Sequence, residues 1–222
     1  ILGVSASNTN RNFTENPLDR LSSGKRINSA ADDAAGLAVL SKLEAALSEK
    51  EQAIRNAADG QDLLSAADSG AAEVSNMLNR MRELAIQATN GTNSIAEREA
   101  LQNEAELLTA EINRIANSTS LNGRTPLFGT EMDLQIGAPV EKRITAKIDG
   151  VSAGDLELDG GRISFVSSKN ARDAIGVIDQ ALNKIVSVRG DIGAIVGRIS
   201  NTIDHLSDAK INSTIKAIQS SD

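Results

Sequence analysis

The chain has 222 residues and contains no cysteine, no tryptophan and no tyrosine. Without thiols there can be no disulfide, no thiolate metal site and no cysteine nucleophile. Three phenylalanines, Phe13, Phe128 and Phe165, are its only aromatic residues, whereas compact enzymes use aromatic rings to fill cores and shape pockets. Histidine occurs once, as His205. No H-E-x-x-H zinc pair can form, no Ser-His-Asp triad can be assembled away from that residue, and no G-x-S-x-G elbow accompanies it. A lone helical histidine beside an apolar stripe reads as ordinary surface or seam. No apolar run reaches the roughly 18 residues of a membrane span, so membrane insertion is not expected. The opening ILGVSASNTNRNF lacks the apolar core of a secretory signal and has no initiator Met, as expected of a trimmed or processed chain. The net charge is −7, and Lys25 and Arg26 stand nearly alone. Nucleic acid is therefore not an expected partner, because phosphate binding needs a clustered basic face. No cofactor is expected.

What remains is rich in Ala, Leu, Ile and Val, which suits thin helix-on-helix seams and an elongated bundle. From about Asp32 to Thr89 the apolar residues Leu43, Leu47, Ile54, Ala57, Leu64, Ala71, Val74, Leu78 and Met81 recur at three, four and seven. That spacing lays one stripe along a helix face. Gly60 and Gly70 each cost about 1 kcal/mol relative to Ala inside a helix, so they mark a bend or a close approach. Asn90-Gly91-Thr92-Asn93 ends the run, with a residue available for a left-handed cap. Ser94 then opens a second helix, and Glu97 stands in capping-box position. Leu101, Ala105, Leu108, Ile112 and Ile115 follow at four-three-four-three, the pattern of a coiled-coil seam, and Leu121-Asn122-Gly123 breaks it.

Between 126 and 168 the character changes. MDLQIG, RITAKI and RISFV alternate polar and apolar residues between glycines and read as short strands or hairpins. From Ala171 to about Ser220 the helical pattern returns through Ile175, Ile178, Leu182, Ile185, Ile192, Ile195, Ile199, Ile203 and Leu206, with Asn170 or Ser168 as candidate cap. The expected fold is mainly α: an elongated rod of long antiparallel helices, coiled-coil-like, with a small β-hairpin region. Its expected segments are an N-terminal segment and joint (1–31), N-terminal rod helices (32–125), the hairpin region (126–168) and a C-terminal rod helix (169–222). Together they make one discontinuous rod domain.

Local motifs supply no chemistry. SSGKR lacks the leading glycine and trailing Ser/Thr of a phosphate loop, and no apolar strand precedes it. Asp32 and Asp33 fit a helix start, where carboxylates meet the positive end of the dipole. Glu104 and Glu106 read as solvated-face charges. Asn12, Asn90, Asn117 and Asn212 match N-x-[ST], a frequency unsurprising in a chain this rich in Asn, Ser and Thr.

One resemblance is specific. RLSSGKRINSAADDAAGLAV resembles the N-terminal signature of bacterial flagellins. The likeness continues through IRNAADGQDLLSAADSGAAEVSNMLNRMRELAIQATNGTNS, EINRIANSTSLNG and MDLQIG, and resumes at ALNKIVSVRGDIGAIVGRISNTIDHL. It implies a secreted, non-enzymatic structural subunit of the flagellar filament, self-associating and displayed at the cell surface, with a flagellar export chaperone and cap as further partners. It also implies a rod of two long antiparallel helices and a shorter one beside a β-hairpin region, with Gly and Ser of the RLSSG run at a bendable joint. The polar N-terminus with Pro17 does not resemble the family's terminal helix, and the C-terminal partner helix is missing. A stable rod that polymerises poorly is the expectation. The family's recognition by a host Toll-like receptor centres on an R-x-R-E-L-A segment, matched here by Arg80, Arg82, Glu83 and Leu84. Gln87, Glu104 and Ile203 complete the expected receptor or assembly surface. Competing readings are a hook–filament junction protein and a surface-displayed flagellin-like binder, for instance of polysaccharide, with its site on residues 132–166.

Overall fold

The computed structural model describes residues 33–120, 123–137 and 143–221, together with Ser22 and Ala31. The joint expected within 1–31 otherwise lies outside the described residues. Helix α1 spans Ala34–Ala88 and is 55 residues long, about 80 Å at the α-helical rise. It starts where the sequence suggests. Asp33 is extended, and its carboxylate accepts from Ala35 N–H at 3.0 Å and Gly36 N–H at 2.8 Å, satisfying donors that the first turn leaves orphaned.

Helix α2, Ile95–Ser118, begins with the expected capping box. Glu97 N–H donates to Ser94 Oγ at 3.3 Å, and Ser94 N–H donates to Glu97 Oε2 at 2.6 Å. These Ser94 donors hold the Glu97 carboxyl below its ordinary range. A single 3-10 turn, Pro126–Phe128, leads through left-handed Gly129 into β1 (Thr130–Gln135). β1 pairs antiparallel with β2 (Arg143–Ile148), in register from Thr130↔Ile148 to Gln135↔Arg143. Helix α3 covers Ser168–Ser221.

α1 and α3 run antiparallel, side by side. Polar links mark the register: Glu51 to Lys210, Asp68 to Arg189, Arg82 to Asp179, and Thr89 O to the Ser168 hydroxyl. The core lies between them and is closed by α2 and by the inward faces of the hairpin. Leu64, Leu78, Met81, Ile112, Ile178, Ile185, Ile192 and Ile199 are all buried there, with Leu101 at its margin. On β2 the inward residues are Ile144, Ala146 and Ile148, the alternate positions of a strand with one covered face. Gly60 and Gly70 are points of close approach. A Cβ at Gly60 would lie 2.5 Å from Leu134 Cδ1, and one at Gly70 would lie 2.7 Å from Leu127 Cδ1.

Four expectations are corrected. RISFV forms no strand. Gln102 of α2 takes the ladder's role, accepting from Phe165 N–H at 2.8 Å and donating to Ile163 O at 3.2 Å. Neither Asn90 nor Gly91 adopts a left-handed cap. Instead the Arg98 guanidinium reaches back to the carbonyls of Ala88, Asn90 and Asn93. The cap of α3 is Ser167, whose hydroxyl accepts from Asn170 N–H at 3.1 Å. Finally, Leu43, Leu47, Ile54, Leu108 and Leu182 are only half-buried.

Candidate assembly and recognition surface

Arg80 projects from an exposed face of α1. It pairs with Glu83 one turn on, at 3.0 Å, and with Glu104 of α2 at 2.8 Å. Position 80 falls between the buried stripe residues Leu78 and Met81, so helical periodicity turns it outward. The hydrogen bond that Arg80 donates to Glu104, reinforced by the one to Glu83, raises the Arg80 pKa further. Arg80 therefore stays cationic throughout the accessible range, with two carboxylates beside it. Arg82 points the other way and binds Asp179 of α3 through Nε at 2.7 Å. That partner has no signal in the sequence, because only the antiparallel register brings it close.

The structure divides the expected set. Arg80, Glu83 and Glu104 form one exposed network, and Gln87 is exposed on the following turn. Leu84 is not on that surface. At 1% exposure it belongs to the core with Met81, Ala85 and Ala88, and its spacing from Leu78 and Met81 already places it on the apolar stripe. Ile203 is half-buried on α3. It lies roughly 36 Å along the helix from Asp179, which faces Arg82. It does not share a patch with Arg80.

Another surface feature goes unread in the sequence. Ile211, Ile215 and Ile218 of α3 are 58%, 47% and 55% exposed. The spacing i, i+4, i+7 puts them on one face. The stripe read along α3 ends at Leu206, and this second stripe continues on a different side. The residues that face α1 here are Leu206, Lys210 and Ser213, all half-buried. Lys50 donates to Ala209 O at 3.0 Å and to the Ser213 hydroxyl. The distal seam is thus thin, mixing leucines such as Leu40 and Leu206 with polar contacts, while the isoleucines face outward.

Clefts among the described residues lie near the hairpin and the bundle ends, and another of about 590 Å³ lies beside the Asp68–Arg189 pair. One of about 310 Å³ sits between α1 and the hairpin, lined by Asn56, Asp59, Gly60, Leu63, Arg124 and Met132 to Gln135. It has no aromatic ring on which a sugar could stack. A second, of about 450 Å³, brings His205 near Glu49, Lys50 and Thr202. A small cleft of about 80 Å³ lies under Ile95 and Val166. Among the described residues no three His, Cys, Asp or Glu side chains are placed to hold a metal ion, and no helix is long and apolar enough to cross a membrane.

Comparison with known proteins gives these features a context. The family model of the bacterial flagellin N-terminal helical region matches residues 4–131. The chain is 36% identical over 205 residues to a flagellin of Halalkalibacterium halodurans, covering 91% of this chain and 75% of that protein. It is 42% identical over 156 residues to polar flagellin F of Vibrio parahaemolyticus, covering 69% of this chain but only 41% of that longer protein. In fold it resembles a solved Vibrio parahaemolyticus protein assigned as flagellar hook-associated. That likeness has a TM-score of 0.72 over 86% of this chain and 100% of the other, at 16% identity.

Proposed function

The chain belongs to the bacterial flagellin family, and on that premise we propose that it is a non-enzymatic structural subunit of the extracellular flagellar filament, assembling through rod-to-rod contacts. Subunits joined by heterologous contacts that do not close build helical polymers. The observation that carries this reading is the exposed pair Ile211 and Ile215 on one face of α3, which no described residue covers. Apolar side chains aligned on a helix face are what a neighbouring subunit would bury. The test is an assembly assay on the gene product at its natural length, read by negative-stain microscopy and sedimentation. Ile211→Glu with Ile215→Glu should leave the helical signal intact and shift filaments to monomers. Undiminished filaments would remove this face from the contact.

An export chaperone and a filament cap are partners implied by the family resemblance. A host Toll-like receptor is a further partner in this proposal, reading the Arg80, Glu83, Glu104 and Gln87 face. Guanidinium and carboxylate groups on a convex helix face resemble interface anchors. The fold shared with the hook-associated protein supports a second reading, a subunit at the hook–filament junction. At 16% identity that likeness concerns the fold alone, and the 36% and 42% identities to flagellins favour the filament. Incorporation along the whole filament, against incorporation at its base only, separates the two.

A further inference from the structure

We infer that Asn90 is a self-modifying residue: in the folded turn between α1 and α2 its side-chain amide is lost to ring closure by the Gly91 nitrogen, leaving aspartate or isoaspartate. Asn90 and Gly91 are both exposed. Thr92 N–H donates to Asn90 Oδ1 at 3.1 Å. This turn folds the Asn90 side chain back along its own backbone, across the intervening Gly91 amide. The same donor polarises Oδ1, where negative charge develops when the carbon is attacked. Gly91 N–H donates to no group among the described residues, so the attacking nitrogen gives up no hydrogen bond to them. Gly91 has no Cβ to crowd the approach, and nothing lies within 4 Å of where one would be.

The chemistry balances without any cofactor. Solvent hydroxide takes the Gly91 amide proton, and the nitrogen forms a bond to Asn90 Cγ. The Cγ–Nδ2 bond breaks, and the departing nitrogen takes a proton from water and leaves as ammonia. Water then opens the five-membered imide at either carbonyl. One opening gives aspartate, the other isoaspartate. The net change is gain of water and loss of ammonia.

Other described asparagines lack this arrangement. Asn79 and Asn117 sit inside helices, where the next residue's N–H belongs to the backbone ladder. Their side-chain amides donate to carbonyls one turn back, at 2.9 and 2.8 Å. The consequence at Asn90 is local and specific. Its carbonyl is one of those gripped by Arg98, at 3.1 Å. Isoaspartate lengthens the main chain by one methylene there and sets a carboxylate beside the guanidinium, drawing Arg98 away from the end of α1.

The experiment incubates the intact protein in mildly alkaline buffer and follows the tryptic peptides Asn56–Arg80, Glu83–Arg98 and Ile115–Arg124 by fragmentation mass spectrometry, which separates Asn90 from Asn93, with enzymatic methylation to detect isoaspartate. Asn90 should convert ahead of Asn79 and Asn117, and faster as pH rises. Gly91→Ala adds its methyl to open space and needs no left-handed backbone. It should keep the parent's circular dichroism yet slow conversion about tenfold or more by crowding the attack. The inference is overturned if Asn90 survives while the helical asparagines convert, or if Gly91→Ala reacts at the parent rate. A folded-state rate far below that in denaturant would also overturn it, because the turn would then be protecting the residue.

Discussion

Along Ala57–Ala88, α1 is flanked by α3, α2 and the hairpin, and its inward residues Leu64, Ala67, Ala71, Val74, Leu78 and Met81 are fully covered. Along Ala34–Lys50 the main described neighbour is the end of α3, with Ile136 beside the same cleft as Ala46 and Lys50. There Leu40 is buried, Leu43 and Leu47 are half-buried, and the seam also carries Lys50 and the Glu51–Lys210 pair at 2.9 Å. One half of the rod is stabilised by extensive burial, and the other by a thinner apolar seam and by polar contacts of little individual worth. The same helix passes through both. Helix formation therefore does not show where stability resides.

The largest expected effect breaks this contrast if it is mistaken. Ile112 is fully buried, so Ile112→Asp places an unpaired carboxylate in the core at a cost of several kcal/mol. Cooperative unfolding by denaturant should show loss of most of the stability. Leu43→Asp can turn its carboxylate to solvent and should cost far less, about 1 kcal/mol. Equal losses would mean the two halves share one core. Leu108, a member of the same apolar spacing as Ile112, is half-buried and should fall between them.

A second effect changes sign between an inward and an outward glycine. At Gly70 an added Cβ would stand 2.7 Å from Leu127 Cδ1 and 2.8 Å from Thr119 Oγ1. Overpacking of that kind costs about 1–3 kcal/mol, more than the roughly 1 kcal/mol gained in helix propensity. Gly190 on α3 has nothing within 4 Å. Gly190→Ala should therefore stabilise by about 0.5–1 kcal/mol, read as a rise in melting temperature where Gly70→Ala gives a fall.

The sequence makes the inward face of the rod legible and leaves the outward face obscure, for a physical reason. Periodicity reports which residues of one helix share a side, so Leu64, Leu78, Ile178 and Ile192 can be placed without coordinates. It does not report what stands opposite. Leu43 and Leu47 lie on the same stripe as Leu64 yet face a thinner seam that leaves them half-buried. Caps made by neighbouring residues, such as Asp33 and the Ser94–Glu97 box, are readable because both partners are local. Caps made at a distance are not. Arg98 closing α1, and Gln102 serving the backbone of RISFV, depend on how α2 docks. On the candidate surface, Leu84 is legible in its apolar spacing, whereas the Arg82–Asp179 pair exists only through the antiparallel register.

Acid sharpens the comparison further. The hydrogen bond from Lys210 and its charge hold the Glu51 carboxyl below its ordinary value. A carboxyl depressed in the folded state contributes stability above its unfolded pKa and loses that contribution as pH falls through the depressed value. No polar or charged residue is buried in the described core. As pH falls below the ordinary carboxylate range, protection of distal α3 amides near Lys210 should fall while amides from Ile178 to Ile199 stay protected. Glu51→Gln should remove the acid step. A uniform loss along α3 would mean that the two halves open together.

The smallest structural effect is expected at Arg80, where the surface can be tested apart from the fold. Its guanidinium bridges α1 and α2 through Glu104 but is half-exposed, and exposed ion pairs contribute little to stability. Arg80→Ala should leave the melting temperature and the helical signal within error of the parent. If the proposed receptor reads this face, signalling by a purified monomer should fall sharply in Arg80→Ala. It should be only partly restored in Arg80→Lys, because an ammonium cannot reproduce the fork that meets Glu83 and Glu104 together. Full signalling by both variants would take Arg80 out of the recognised surface and leave its network as a clamp between two helices. Loss of signalling accompanied by a lowered melting temperature would instead place the well-covered half of the rod, and not its exposed face, at the origin of the effect.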